Sequence, residues 1–185
     1  MFRNLTIFAI LLALFVVVLG AYVRLSDAGL GCPDWPGCYG SLIVDESHEG
    51  VAHAAEHYPE RPLEVSKAWK EMIHRYFASG LGLVILILTI MAWRRPELGQ
   101  RGLTTLLLLL VMFQGALGMW TVTLLVKPAI VMSHLLGGLA TLSLLLLLLL
   151  RIQTKRLAQT DKKNTVRSVT SVALLVLVVQ IGLGG

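Results

Sequence analysis

The 185-residue chain is 56% hydrophobic with only 15% charged residues and has a mean hydropathy of +0.75, which excludes a soluble domain of this size, whose surface must be largely wet. The formal net charge of +5 comes from Lys and Arg gathered in short segments between apolar runs. That distribution reports membrane topology and carries no nucleic-acid inference.

Five apolar runs approach the roughly 20 residues needed to cross a bilayer as a helix: Leu5–Val23, Met72–Trp93, Leu103–Leu125, Ile130–Leu150 and Val169–Gly185. The expectation is an all-α membrane protein, a four-helix transmembrane bundle plus a partial fifth span. The first run follows Arg3 and is longer than a signal-peptide core, so it reads as an uncleaved span. No transit peptide precedes it, which favours a bacterial protein.

The first connection, 24–71, holds nine of the eleven acidic residues. The positive-inside rule therefore places it outside, with the N-terminus in the cytoplasm. Its opening segment GLGCPDWPGCYG, Gly29–Gly40, is a turn rich in Gly and Pro that carries both cysteines, Cys32 and Cys38. In an oxidising compartment three states are open to them: a structural disulfide, a redox-active pair, or two free thiols. Further on, Glu49–Lys70 has helix-forming residues interrupted by Pro59 and Pro62, and reads as a surface helix and a turn. His53, Glu56 and His57 match an H-x-x-E-H zinc pattern. With no third ligand indicated, His48, His53 and His57 read as residues of a solvated helix.

At the head of the second span stand Glu71, His74 and Arg75, on one helical face. They read either as a Glu71–Arg75 ion pair at the water boundary or as a carboxylate and a guanidinium beside a ligand. The inner loop that follows carries Arg94, Arg95 and Arg101. The third span holds Gln114 in its middle, an interhelical hydrogen bonder or a ligand contact. Lys127 is the only charge before the fourth span, which carries His134 near its head. Gly80, Gly82, Gly115, Gly118, Gly137 and Gly138 suggest close helix approaches. Residues 151–168, rich in Lys and Arg, form a cytoplasmic linker, and 169–185 begin a fifth span.

Ionisable groups within spans need a reason. His74 and His134 head two spans that run in the same direction, so they fall at similar depth. They read either as hydrogen bonders to neighbouring helices or as a pair of neutral imidazoles suited to the axial positions of a haem iron. Zinc is less suitable, because two further ligands are lacking at that depth.

Ala21–Gly40 (AYVRLSDAGLGCPDWPGCYG), Glu71–Gly80 (EMIHRYFASG) and Gly115–Gly138 (GALGMWTVTLLVKPAIVMSHLLGG) resemble, in order, three signatures of the haem A synthase family. These are a G-x-x-V-R-L-[ST] exit, opening here on Gly20, that leads into C-P-D-W-P-x-C, an E-x-x-H-R motif, and G-x-x-G-x-x-T-V followed by a histidine. The resemblance implies an oxidoreductase of the bacterial cytoplasmic (inner) membrane that oxidises the C8 methyl of haem O to the formyl group of haem A. It implies an eight-helix architecture of two similar four-helix halves, of which 1–150 would be the first. His74 and His134 would be axial ligands of substrate haem O, Arg75 a further haem contact, and Glu71 the acidic catalytic residue. Cys32 and Cys38 would be loop thiols that relay electrons or pair as a disulfide.

A haem b cofactor would belong to a second half that this chain lacks, so the expectation is a longer protein or a homo-oligomer of two copies. Implied partners are the lipid bilayer, haem O synthase and cytochrome oxidase assembly factors, with no nucleic acid. Two other classes stay open on the residues alone: a bis-histidine b-type electron-transfer protein, and a membrane thiol oxidoreductase using the cysteines.

Overall fold

The computed structural model describes residues 1–154, and the expected fifth span, 169–185, lies outside the described residues. Five α-helices follow in order: α1 (Phe2–Leu25), α2 (His48–His57), α3 (Val65–Arg94), α4 (Arg101–Thr123) and α5 (Pro128–Thr154), with a short 3-10 turn at Pro96–Leu98 between α3 and α4. No strand occurs among the described residues. Helices α1, α3, α4 and α5 are each long and apolar enough to cross a membrane, as the helical bundle expectation requires.

The four spans close a ring. Helix α1 packs on α3 and α5, and α4 packs on the same two. Helices α3 and α5 are therefore diagonal partners across the bundle, and they run parallel to each other. Residues on these two helices meet only through the interior.

Helix α3 begins seven residues before the expected start of its span at Met72. Its 30 residues extend about 45 Å, longer than the roughly 30 Å of hydrocarbon they must cross. Its first turns therefore stand beyond the hydrocarbon, on the side of the long loop. Hydropathy marks where the membrane begins, whereas Val65–Lys70 is polar yet a good helix former. His74 consequently lies in the third turn of α3, not the first, and His134 in the second turn of α5. At the other end, α5 continues through residues 151–154, which were expected to be linker.

Two packed cores are separate. One lies in the half of the bundle remote from the long loop and consists of Ala9 and Ala13 of α1, Leu81, Ile85 and Leu88 of α3, Leu107 of α4, and Leu145 and Leu148 of α5, among others. The second belongs to the loop and the head of α3, where Cys32, Cys38, Tyr39, Val44 and Ala54 pack on Ala68 and Met72. Helix α2 joins this cap. It starts at Ser47, whose hydroxyl accepts a hydrogen bond from the Gly50 N–H.

The expected glycine contacts are only partly realised. A Cβ at Gly80, Gly82 or Gly115 would meet nothing within 4 Å, whereas Gly118, Gly137 and Gly138 do face neighbours. Which glycines make contact depends on helix rotation, and composition does not encode that.

Candidate functional site between the two cores

The long loop is bound to α3 by its first polar turns. Cys32 and Cys38 form a disulfide, which removes two free thiols from the three states read in sequence. Inside the bridged segment, the Asp34 carboxylate accepts the backbone N–H groups of Tyr39 at 2.7 Å and Gly40 at 2.9 Å. Gly31 lies so close to the α3 backbone that a Cβ there would sit 2.6 Å from the Lys67 carbonyl carbon. Only glycine permits that approach.

Glu71 and Arg75 grip this loop together. The buried Glu71 carboxylate accepts the Cys32 N–H at 2.9 Å and pairs with the Arg75 guanidinium. Arg75 in turn donates to the Pro36 carbonyl at 3.3 Å and to the Gly37 carbonyl. The ion pair and the ligand-side reading were alternatives in sequence, and the structure shows the pair formed, with the disulfide loop as its third member. Around it, Trp69 donates to Glu46 at 2.6 Å, and Tyr39 donates to the carbonyls of Arg61 and Pro62.

His74 lies three residues after Glu71, on the side toward the bundle. Its ring rests on α1 at Gly20, where a Cβ would lie 3.0 Å from Cε1. His134, on the diagonal helix, rests on α4 at Gly118, where the corresponding distance is 3.5 Å. Both histidines are half-buried, yet the Nδ1 atom of each is fully buried and has no hydrogen-bond partner.

This layer falls between the two cores. The inner cluster stops at the level of Ala13, Leu81, Leu107 and Leu145, and the loop cluster reaches only to Met72. The intervening level holds Gly20, Gly118, Gly137, Gln114 and the imidazoles, together with the apolar Leu117 and Val17. Two orphaned ring nitrogens on opposite helices, each ring seated on a glycine, suit a flat ligand that supplies a metal ion. In sequence Gly20 was visible as the glycine that opens the G-x-x-V-R-L-S exit, with nothing to tie it to His74.

His48, His53 and His57 lie on α2, away from this layer, with the His53 and His57 rings stacked at 4.1 Å. Among the described residues, no group of three or more His, Cys, Asp or Glu side chains converges to hold a metal ion.

The COX15-CtaA family, described as cytochrome oxidase assembly protein, matches residues 3–185. Among curated proteins, one named heme A synthase from Shewanella oneidensis is 49% identical over 173 residues, covering 93% of this chain and 52% of that protein. Heme A synthase of Mesorhizobium japonicum is 29% identical over 197 residues, covering 97% and 54%. That of Halalkalibacterium halodurans is 30% identical over 156 residues, covering 81% and 46%. The chain thus spans about half the length of these curated relatives. No solved structure matches it.

Proposed function

The chain belongs to the COX15-CtaA family of cytochrome oxidase assembly proteins, and from that premise we propose that it forms a haem-binding four-helix unit of a haem A synthase. Haem O is the substrate, and its C8 methyl is oxidised to the formyl group of haem A. One observation carries this reading: His74 and His134 stand on diagonal helices, each with a buried Nδ1 atom that has no hydrogen-bond partner.

The residues present fit an iron porphyrin. His74 and His134 would be its axial ligands, and Gly20 and Gly118 leave their rings room to stand between helices. Bound there, the group supplies a redox-active iron together with the methyl carbon to be oxidised. Its two propionates are charged and belong at the wet end of the bundle, where Arg75 brings positive charge. The C8 methyl shares a pyrrole with one propionate, so it belongs to the same half of the macrocycle, toward Glu71.

Glu71 then acts from the rim of the site. Converting a methyl to a formyl group with the oxygen of water releases protons and electrons together. A carboxylate one turn outward from His74 can stabilise positive charge as it develops, or accept a released proton. Because Glu71 also holds the Cys32 N–H, the loop and the proton acceptor move as one body. A haem b cofactor in a further half, relay of the released electrons away from the substrate through the disulfide to an acceptor beyond it, and handover from haem O synthase to oxidase assembly factors belong to this same reading. So does an orientation with the loop outside the bacterial inner membrane.

A bis-histidine electron carrier would share the imidazole pair, and pigment analysis separates the two. The purified chain is expected to bind haem O with the absorption spectrum of two axial histidines, and His74→Ala or His134→Ala should each abolish that spectrum. Binding of haem b alone would favour the carrier. A haem O spectrum insensitive to both substitutions would overturn the assignment of the ligands.

A further inference from the structure

Buried polar side chains within the spans are, with few exceptions, satisfied. The hydroxyls of Thr6, Thr104 and Thr141 donate to the carbonyls four residues back at 2.9–3.0 Å, and Thr89 adds the Thr104 carbonyl across to α4. Besides the two imidazoles, the unpartnered buried side-chain atoms among the described residues are Gln100 Oε1, at the N-cap of α4, and Gln114 Nε2 in its middle. Gln114 is only 9% exposed. A buried amide donor without a partner is costly in a medium with no water to replace it.

Its position is fixed from both sides. On α4, Gln114 comes one turn before Gly118, which lies against the His134 ring. On α5, the Gln114 amide lies over Gly137, three residues beyond His134, and fills the space a Cβ there would need. Helix α4 runs toward the disulfide loop, since Val126 just past its end lies against Gly29. Both relations place the Gln114 amide about 5 Å, one helical turn, deeper than the imidazole.

We propose that Gln114 is a specificity residue for haem O, donating its side-chain N–H to the hydroxyl on the first carbon of the farnesyl-bearing substituent. This rests on the haem-binding reading above. With the propionates at the wet end, the opposite edge of the macrocycle points deep into the bundle. On that edge haem O carries a single polar group, this hydroxyl, where haem b carries an apolar vinyl. A donor buried one turn below the iron ligand recognises the first and gains nothing from the second. Sites built to hydrogen-bond a hydroxyl discriminate strongly against analogues that lack it.

The test titrates haem O and haem b separately into the detergent-solubilised full chain, followed by Soret absorbance, in wild type and in Gln114→Met, which matches the length but has no donor. The variant should lose roughly 5- to 10-fold in haem O affinity, the worth of one neutral hydrogen bond, and bind haem b within about twofold of wild type. Equal loss for both haems would mark Gln114 as a packing residue and overturn the proposal, as would no loss for either. Should Gln114→Met misfold, Gln114→Leu is read by the same ratio. Failure of the wild type to bind either haem would instead sink the haem-binding reading, an outcome distinct from a flat ratio in the variant.

Discussion

Glu71 and Cys32 are 39 residues apart in sequence and joined by a 2.9 Å hydrogen bond, carboxylate to backbone N–H. The bond fastens the bridged end of the outer loop to the helical turn that leads into His74. Arg75 closes the arrangement from the same helix by holding the carbonyls of Pro36 and Gly37. The loop is thus fixed relative to the imidazole by two side chains, one of each charge.

Removing one member should therefore cost more than a surface pair does. The side chains of Glu71 and Arg75 are only 6% and 12% exposed, and Glu71→Ala leaves a buried guanidinium uncompensated. Breaking such a pair typically costs about 3–5 kcal/mol. Denaturant unfolding in detergent should show a loss of that order for Glu71→Ala and a smaller one for Glu71→Gln, whose amide oxygen still accepts the Cys32 N–H. If the Gln variant stays as stable as wild type yet forms no haem A, Glu71 acts on the proton as well as on the loop. Unchanged stability in the Ala variant would show that the pair does not hold the loop.

Loss of the disulfide should be felt more locally. The bridge closes a short loop, with a sequence separation of 6, so its chain-entropy contribution is about 2 kcal/mol. The Glu71, Arg75 and Asp34 contacts to this segment are made through backbone groups and not through the sulfur atoms. Cys32→Ser with Cys38→Ser should remain folded with its four spans intact, while limited proteolysis cuts faster between Gly29 and Gly40. Global unfolding of the double variant would contradict the separation of the loop cluster from the bundle core.

Much of this was legible in the sequence, for physical reasons. A span announces itself because the bilayer demands a long uninterrupted apolar run, and the paired depths of His74 and His134 follow from counting along two such runs. Glu71 and Arg75 were visible as neighbours, since four residues make one helical turn. Their hold on the disulfide loop was not, because a contact across 39 residues is set by tertiary packing alone. The contact of Gly20 with His74 stayed hidden for the same reason: which face of α1 meets His74 depends on the rotation of two helices. The start of α3 was misjudged because hydropathy reports membrane, not helix.

Membrane orientation gives a prediction independent of any ligand. Arg94, Arg95 and Arg101 flank the turn between α3 and α4, whereas the turn between α4 and α5 carries only Lys127. Positive charge is retained on the cytoplasmic side. In intact cells or spheroplasts, Lys127→Cys should react with a membrane-impermeant maleimide, and Arg95→Cys should react only after permeabilisation. The reverse pattern would place the disulfide loop in the cytoplasm and remove the oxidising environment assumed for it.

The two glycines that seat the imidazoles should not be equivalent. A methyl group at Gly20 would stand 3.0 Å from His74 Cε1 and 3.6 Å from both ring nitrogens, whereas at Gly118 it would stand 3.5 Å from His134 Cε1. The second is ordinary van der Waals contact. The first forces the ring or the α1 backbone to shift, and overpacking of that kind typically costs about 1–3 kcal/mol. Replacing Gly by Ala inside a helix is itself favourable by up to about 1 kcal/mol, so overall stability is a poor readout and ligand affinity is the informative one. Gly20→Ala should weaken haem binding by roughly tenfold, the lower part of that overpacking range, and should disturb the spectrum of the histidine-ligated iron. Gly118→Ala should leave both nearly unchanged. Equal effects at the two positions, or a larger one at Gly118, would mean that the His74 ring is not held against α1 when the ligand is bound.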